Sequence, residues 1–209
     1  MCHTNRIGPS CVTTFVNATA AALSESPSTP RSAAALIPPA LAGGAVALAL
    51  GTYGRVHDGS GERILDLGFP SLGAMKSWLA TAVFALAVLQ VVSALAMYRR
   101  LPGLHTNPRW VPLAHRWAGT VAFLISLPVA YHCLWSLGFE TTGARQLVHG
   151  IAGCLFYGAI TTKLLALRTA HLPRWAVPVV GGSLFAALAV LWLTSALWFF
   201  TTVDFPALP

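Results

Sequence analysis

The sequence predicts an all-α integral membrane bundle of five transmembrane helices, N-terminus inside and C-terminus outside. Three observations carry this. Only 9% of the 209 residues are charged, while 56% are hydrophobic. A water-facing domain usually carries about 25% charged residues, so this chain lacks the charge to cover a soluble surface. Five apolar stretches, Ala33–Tyr53, Met75–Tyr98, Val111–Leu137, Leu147–Leu167 and Trp175–Phe200, reach the roughly 20 residues that cross a bilayer. The basic residues also gather in alternate loops: Arg99, Arg100 and Arg109 after the second stretch, Arg168 and Arg174 after the fourth. That asymmetry sets the orientation. The +7 net charge therefore reads as membrane topology rather than as a nucleic-acid surface.

Taken in order, residues 1–32 form a polar tail rich in Ser, Thr, Ala and Pro, whose Ser24–Pro30 stretch has the composition of disorder. Residues 33–209 are the five-helix domain. The tail lacks the strong apolar core and cleavage site of a signal peptide. The first span holds Pro38-Pro39 and Gly43-Gly44, where small side chains let backbones approach closely, and Gly181-Gly182 in the fifth reads the same way. Loop Gly54–Ala74 balances Arg55 and Arg63 against Asp58, Glu62 and Asp66, as an outer loop does. Tyr98, Trp110, Trp117 and Trp175 mark the inner interface, and Tyr53, Trp78, Trp135 and Trp198 the outer one. There is no internal repeat of the kind transporters carry. Cys133 and Cys154 lie within spans as small hydrophobes. No C-x-x-C-H pattern supports covalent haem.

An ionisable ring at membrane depth is costly, so His115, His132 and His149 are the functional candidates. His132, near the end of the third span, and His149, near the start of the fourth, fall at similar depth on neighbouring antiparallel helices. Two neutral imidazoles facing one another suit a haem iron with both axial positions filled, a one-electron carrier. Gly150 and Gly153 leave open volume beside His149, and Tyr131, Trp135, Phe156 and Tyr157 are available to wall a flat ring. Buried histidines satisfied by hydroxyls or backbone are the bland alternative. At the inner end, His115, Arg116 and Lys163 share one level. Lys163 follows His149 by 14 residues, about 21 Å along the same helix face. The two cations either snorkel to headgroups or hold haem propionates or a quinone headgroup. His171 reads as a loop residue.

The stretches His115-Arg116-Trp117-Ala118-Gly119, Tyr131-His132-Cys133-Leu134-Trp135 and His149-Gly150-Ile151-Ala152-Gly153-Cys154 resemble a family of actinobacterial multi-pass membrane proteins of unassigned function. More loosely they resemble transmembrane b-type cytochromes, namely ferric-reductase-like proteins and quinone-linked haem anchor subunits. That likeness implies His132 and His149 as axial ligands of haem b and His115 as a ligand or quinone contact. The chain departs from the di-haem pattern of paired histidines 14 residues apart, because its third span spaces them by 17. The expectation is a haem electron-transfer subunit partnered by the bilayer and by a redox protein or quinone. A cofactor-free scaffolding subunit and a small proton-coupled carrier are the alternatives.

Overall fold

The computed structural model describes residues 31–61, 67–102 and 108–202. The tail through Pro30, the loop charges Glu62, Arg63 and Asp66, and the C-terminal Asp204 lie outside the described residues. Five helices are long and apolar enough to cross a membrane, and no strand occurs among the described residues. Helix α1 spans Ile37–Val56 behind a 3₁₀ turn at Ala33–Leu36, and α2 spans Leu72–Met97. Helix α3, Trp110–Tyr131, runs on into a π-turn at His132–Ser136. Helix α4 is Ala144–Ala166. Helix α5, Ala176–Trp192, passes through a π-turn at Leu193–Leu197 to a last turn at Trp198–Thr202. No boundary differs from the predicted spans by more than three residues.

Local chemistry accounts for the ends. Pro38 and Pro39 sit in the first turn of α1, where a missing N–H costs nothing, so they start the helix rather than break it. Ser71 caps α2 by accepting the Ala74 N–H at 3.0 Å. Pro128 lies inside α3, and the widened turn at His132–Ser136 begins one helical turn later. The large apolar side chains face outward, as bilayer-facing residues must: Leu48 is 73% and Val56 74% exposed.

The helices pack in a ring ordered α1–α4–α5–α2–α3, closed where the π-turn of α3 meets α1. Helices α3 and α4 are consecutive, yet their backbones stay apart, and they meet through long side chains, Tyr157 of α4 reaching Ser126 and Phe123 of α3. The sequence reading set them side by side as antiparallel neighbours, and this arrangement corrects it. The tight seam is α1 on α4. A Cβ added to Gly158 would lie 2.6 Å from Gly43 O and 3.0 Å from Ala47 Cβ, and one added to Gly43 would collide with Thr162 Oγ1 and Gly158 O. Small residues four apart on each helix (Gly43 and Ala47, Gly158 and Thr162) thus bring the backbones together. Gly44, Gly181 and Gly182 do not share this role, since among the described residues nothing lies within 4 Å of a Cβ at any of them.

Val83, Ala87, Phe156 and Leu188 form the buried core of α2, α4 and α5. Phe84 stacks on Trp192 at 5.0 Å, and the Trp192 indole N–H donates to Thr81 Oγ1 at 3.0 Å, so this large ring is packed and satisfied.

Candidate functional site

A cavity of about 110 Å³ lies inside the helix ring and is lined by residues of all five helices. Its wall is almost wholly apolar: Leu50 of α1, Val83 of α2, Val129 and Ala130 of α3, Phe156 of α4 and Leu188 of α5 among others. The chamber occupies the gap that α3 and α4 leave between them. Its floor is Tyr157, whose hydroxyl meets Ser126 Oγ at 2.9 Å and bridges α4 to α3. The polar or reactive groups on the wall include His149, Ser126, Ser195, Tyr157 and the thiols Cys133 and Cys154. Among the described residues no group of three His, Cys, Asp or Glu side chains is placed to hold a metal ion.

His149 is the histidine on this wall. Its Nδ1 lies 2.9 Å from Thr194 Oγ1, in the π-turn of α5. The single hydroxyl proton of Thr194 is donated to Val190 O at 2.7 Å. With that proton placed, Oγ1 is set to accept from the imidazole, which favours the neutral His149 tautomer protonated at Nδ1, and Leu191 O on α5 is a further backbone acceptor for the ring. An Nδ1–H held by an acceptor, with Nε2 left to a ligand, is how a metal-binding histidine is oriented. Gly150, Gly153, Phe156 and Tyr157 line the chamber beside it, although the face of Gly150 expected to be open is packed by the Phe139 ring.

His132 is placed differently. It is wholly buried at the start of the α3 π-turn, its Nδ1 3.1 Å from Ser136 Oγ, and it is not among the residues lining the chamber. The structure therefore does not bring His132 and His149 onto one wall, whereas helix-end offsets alone predict that it should. The offsets fix depth, but the ring order and the π-turn fix direction. The two histidines do share one feature: each is held at Nδ1 by a hydroxyl supplied from a π-turn, Ser136 for one and Thr194 for the other. Such turns are rare and cluster at functional sites. Tyr131 and Trp135 also leave the predicted wall. They stack with Tyr53 and His57 outside it, Tyr131 on Trp135 at 6.4 Å and His57 between Trp135 at 4.7 Å and Tyr53 at 5.0 Å.

At the inner end, His115 Nδ1 lies 2.8 Å from Ser93 Oγ on α2, and the Gln90 amide donates to the His115 carbonyl. Ser93 donates its own proton to Leu89 O at 2.7 Å, so this imidazole too is protonated at Nδ1. Lys163 is half-buried on α4 and within electrostatic range of His115. Arg116 is exposed and stands apart from them, as a snorkelling cation does. His171 lies in the α4–α5 loop with φ +63°, its carbonyl accepting Ser32 N–H at 3.1 Å. Ser93→Ala leaves the half-buried His115 N–H without this partner, a loss of about 0.5–1.5 kcal/mol. Thermal unfolding in detergent should register it as a lower midpoint, and an unchanged midpoint would deny the clasp.

Sequence reasoning missed four residues here. Ser93, Gln90 and Thr194 are ordinary polar residues whose partners sit on other helices. His57 lies one residue past α1, and its Nε2 is buried with no hydrogen-bond partner among the described residues. The histidine count within spans passed over it.

Comparison with known proteins adds a coarse identity. A 129-residue stretch, 58% of the chain, is 35% identical to a "Probable potassium transport system protein Kup 1" of Chromobacterium violaceum, of which it spans only 18%. No solved structure matches the chain. Neither a cytochrome b likeness nor an actinobacterial source emerges from these matches. The family model described as "Family of unknown function (DUF6529)" matches residues 36–207, which takes in every described span almost entire, and the chain belongs to that family.

Proposed function

We propose that this protein is a membrane electron-transfer subunit that holds haem b in the chamber between α3 and α4, with His149 as an axial ligand. One observation carries the reading: the backbones of two consecutive helices stand apart around an apolar chamber whose wall presents the His149 imidazole, anchored at Nδ1 by Thr194. Leu50, Val83, Val129 and Leu188 would give a tetrapyrrole its apolar contacts and keep water away. When bound between imidazoles, haem supplies reversible one-electron chemistry. His132 is the proposed second ligand. It shares the hydroxyl-anchored Nδ1 but lies off the chamber wall, so its part rests on that likeness alone. His115, Arg116 and Lys163 remain the proposed inner contact for a quinone or for propionates. Of these, His115 and Lys163 lie within mutual electrostatic range.

The test is optical. Protein produced with ample haem and purified in detergent should show Soret and α bands that shift on reduction. A folded, colourless preparation would overturn the proposal.

A second reading is favoured by a specific observation. His115 joins α3 to α2 through Ser93, and His149 joins α4 to α5 through Thr194, so both imidazoles already clasp helix pairs. On that reading the protein is a cofactor-free scaffold and stays colourless. The likeness to a potassium transport protein gives little to a carrier reading. A bare cation needs a cage of oxygen ligands, and the chamber wall offers little beyond isolated hydroxyls.

A further inference from the structure

In the π-turn of α5 the Trp198 N–H turns to Ser195 O, and the Thr194 carbonyl is met from another helix. Arg145, in the first turn of α4, donates from its guanidinium to Thr194 O at 2.7 Å. The same guanidinium lies 3.8 Å over the ring of Trp198, which fixes its plane. Thr194 is also the residue whose Oγ1 holds His149. One residue of α5 is therefore gripped at its carbonyl by Arg145 and grips His149 by its hydroxyl. Both contacts come from α4, one helical turn apart. The grip matters because the Thr194 hydroxyl has a choice. In an unwidened helix its carbonyl would be tied four residues on. In the π-turn, the position of Oγ1 depends on what holds the backbone there.

We propose that Arg145 is a positioning residue for His149: by holding the Thr194 carbonyl it fixes the π-turn, and through Thr194 Oγ1 it keeps the His149 proton on Nδ1. The inference rests on the haem reading only for what Nε2 would bind. The lock itself is a property of the protein without cofactor.

The experiment uses the full chain, labelled with ¹⁵N-histidine and reconstituted in lipid bilayers with no haem added. His149 is assigned by the loss of its signal in His149→Gln. In the unmodified protein, His149 should give one tautomer, protonated at Nδ1. Arg145→Met keeps the aliphatic length over Trp198 and removes the donor. In that variant at least half of the His149 signal should move to the Nε2-protonated tautomer or to exchange between the two. His115, locked independently by Ser93, should not change, which separates release of the lock from general loosening. Arg145→Lys, which restores a cationic donor, should recover the single tautomer in part. An Nε2-protonated His149 in the unmodified protein would overturn the proposal, as would an unchanged His149 signal in a folded Arg145→Met. If Arg145→Met does not fold, the unmodified protein decides. Its Arg145 Nη protons should be slow to exchange and in contact with Thr194, and rapid exchange would overturn the lock. A locked tautomer in a protein that stays colourless with haem would leave this inference standing and sink the haem reading instead.

Discussion

His149→Ala should abolish the haem absorbance of the purified protein while leaving a folded bundle. His149 is the imidazole on the chamber wall, and truncation removes the nitrogen proposed to ligate. It also leaves Thr194 Oγ1 without its donor, although that hydroxyl keeps its bond to Val190 O, so the fold loses one clasp and no packed core. The expected outcome is loss of more than nine-tenths of the Soret intensity per mole of protein. Helical content should stay near that of the unmodified chain by circular dichroism. His132→Ala distinguishes the two-imidazole form. If His132 fills the second axial position, its loss converts a low-spin spectrum to a high-spin one with haem still bound. If it does not, the spectrum keeps its spin state and only stability falls, because a wholly buried residue has been cut away. Retention of full haem by His149→Ala would remove the chamber from the account.

Gly158→Leu should undock α1. The obstruction is backbone: the first added carbon already meets Gly43 O at 2.6 Å, and neither helix can yield by turning a side chain. Overpacking a close seam costs about 1–3 kcal/mol and more where backbone must shift. Within a bilayer, tight packing is a principal source of helix association, with no solvent term to compensate. Leu50 of α1 lines the chamber, and a Cβ on Gly51 would lie 3.7 Å from Cys154 Sγ, so α1 covers both the chamber and that thiol. Maleimide labelling of Cys154 in Gly158→Leu should therefore rise several-fold over the unmodified protein, and haem retention should fall with it. Equal labelling rates would show that α1 is not the cover described here.

How much of this was legible in the sequence follows from the range of each interaction. The five spans were legible because apolar length is a local property, and so were the outward-facing inner aromatics: Trp110 is 66% and Trp117 62% exposed. Gly150 and Gly153 do line the chamber, but the space beside Gly150 is taken by the Phe139 ring, whose Cε2 and Cζ would lie 2.8 Å from an added Cβ. Three things were not legible. The ring order depends on which faces of α1 and α4 interlock, and that is settled by Gly43 and Ala47 meeting Gly158 and Thr162 from a distant part of the chain. The π-turns arise in His-Cys-Leu-Trp-Ser and Leu-Thr-Ser-Ala-Leu, segments with no residue that demands a widened turn. The partner of His149 is 45 residues away on another helix. Depth was read from helix offsets, but the direction of His132 depended on a π-turn the pattern does not announce.

The most direct test of the central claim is an experimental density map of the protein prepared with haem supplied, at a resolution that shows side chains. The account predicts planar density between α3 and α4, seated against Leu50, Val83 and Leu188 and bonded to His149 Nε2. A chamber occupied by an acyl chain, or closed by α3 packed directly on α4, with His149 held only by Thr194, would contradict it.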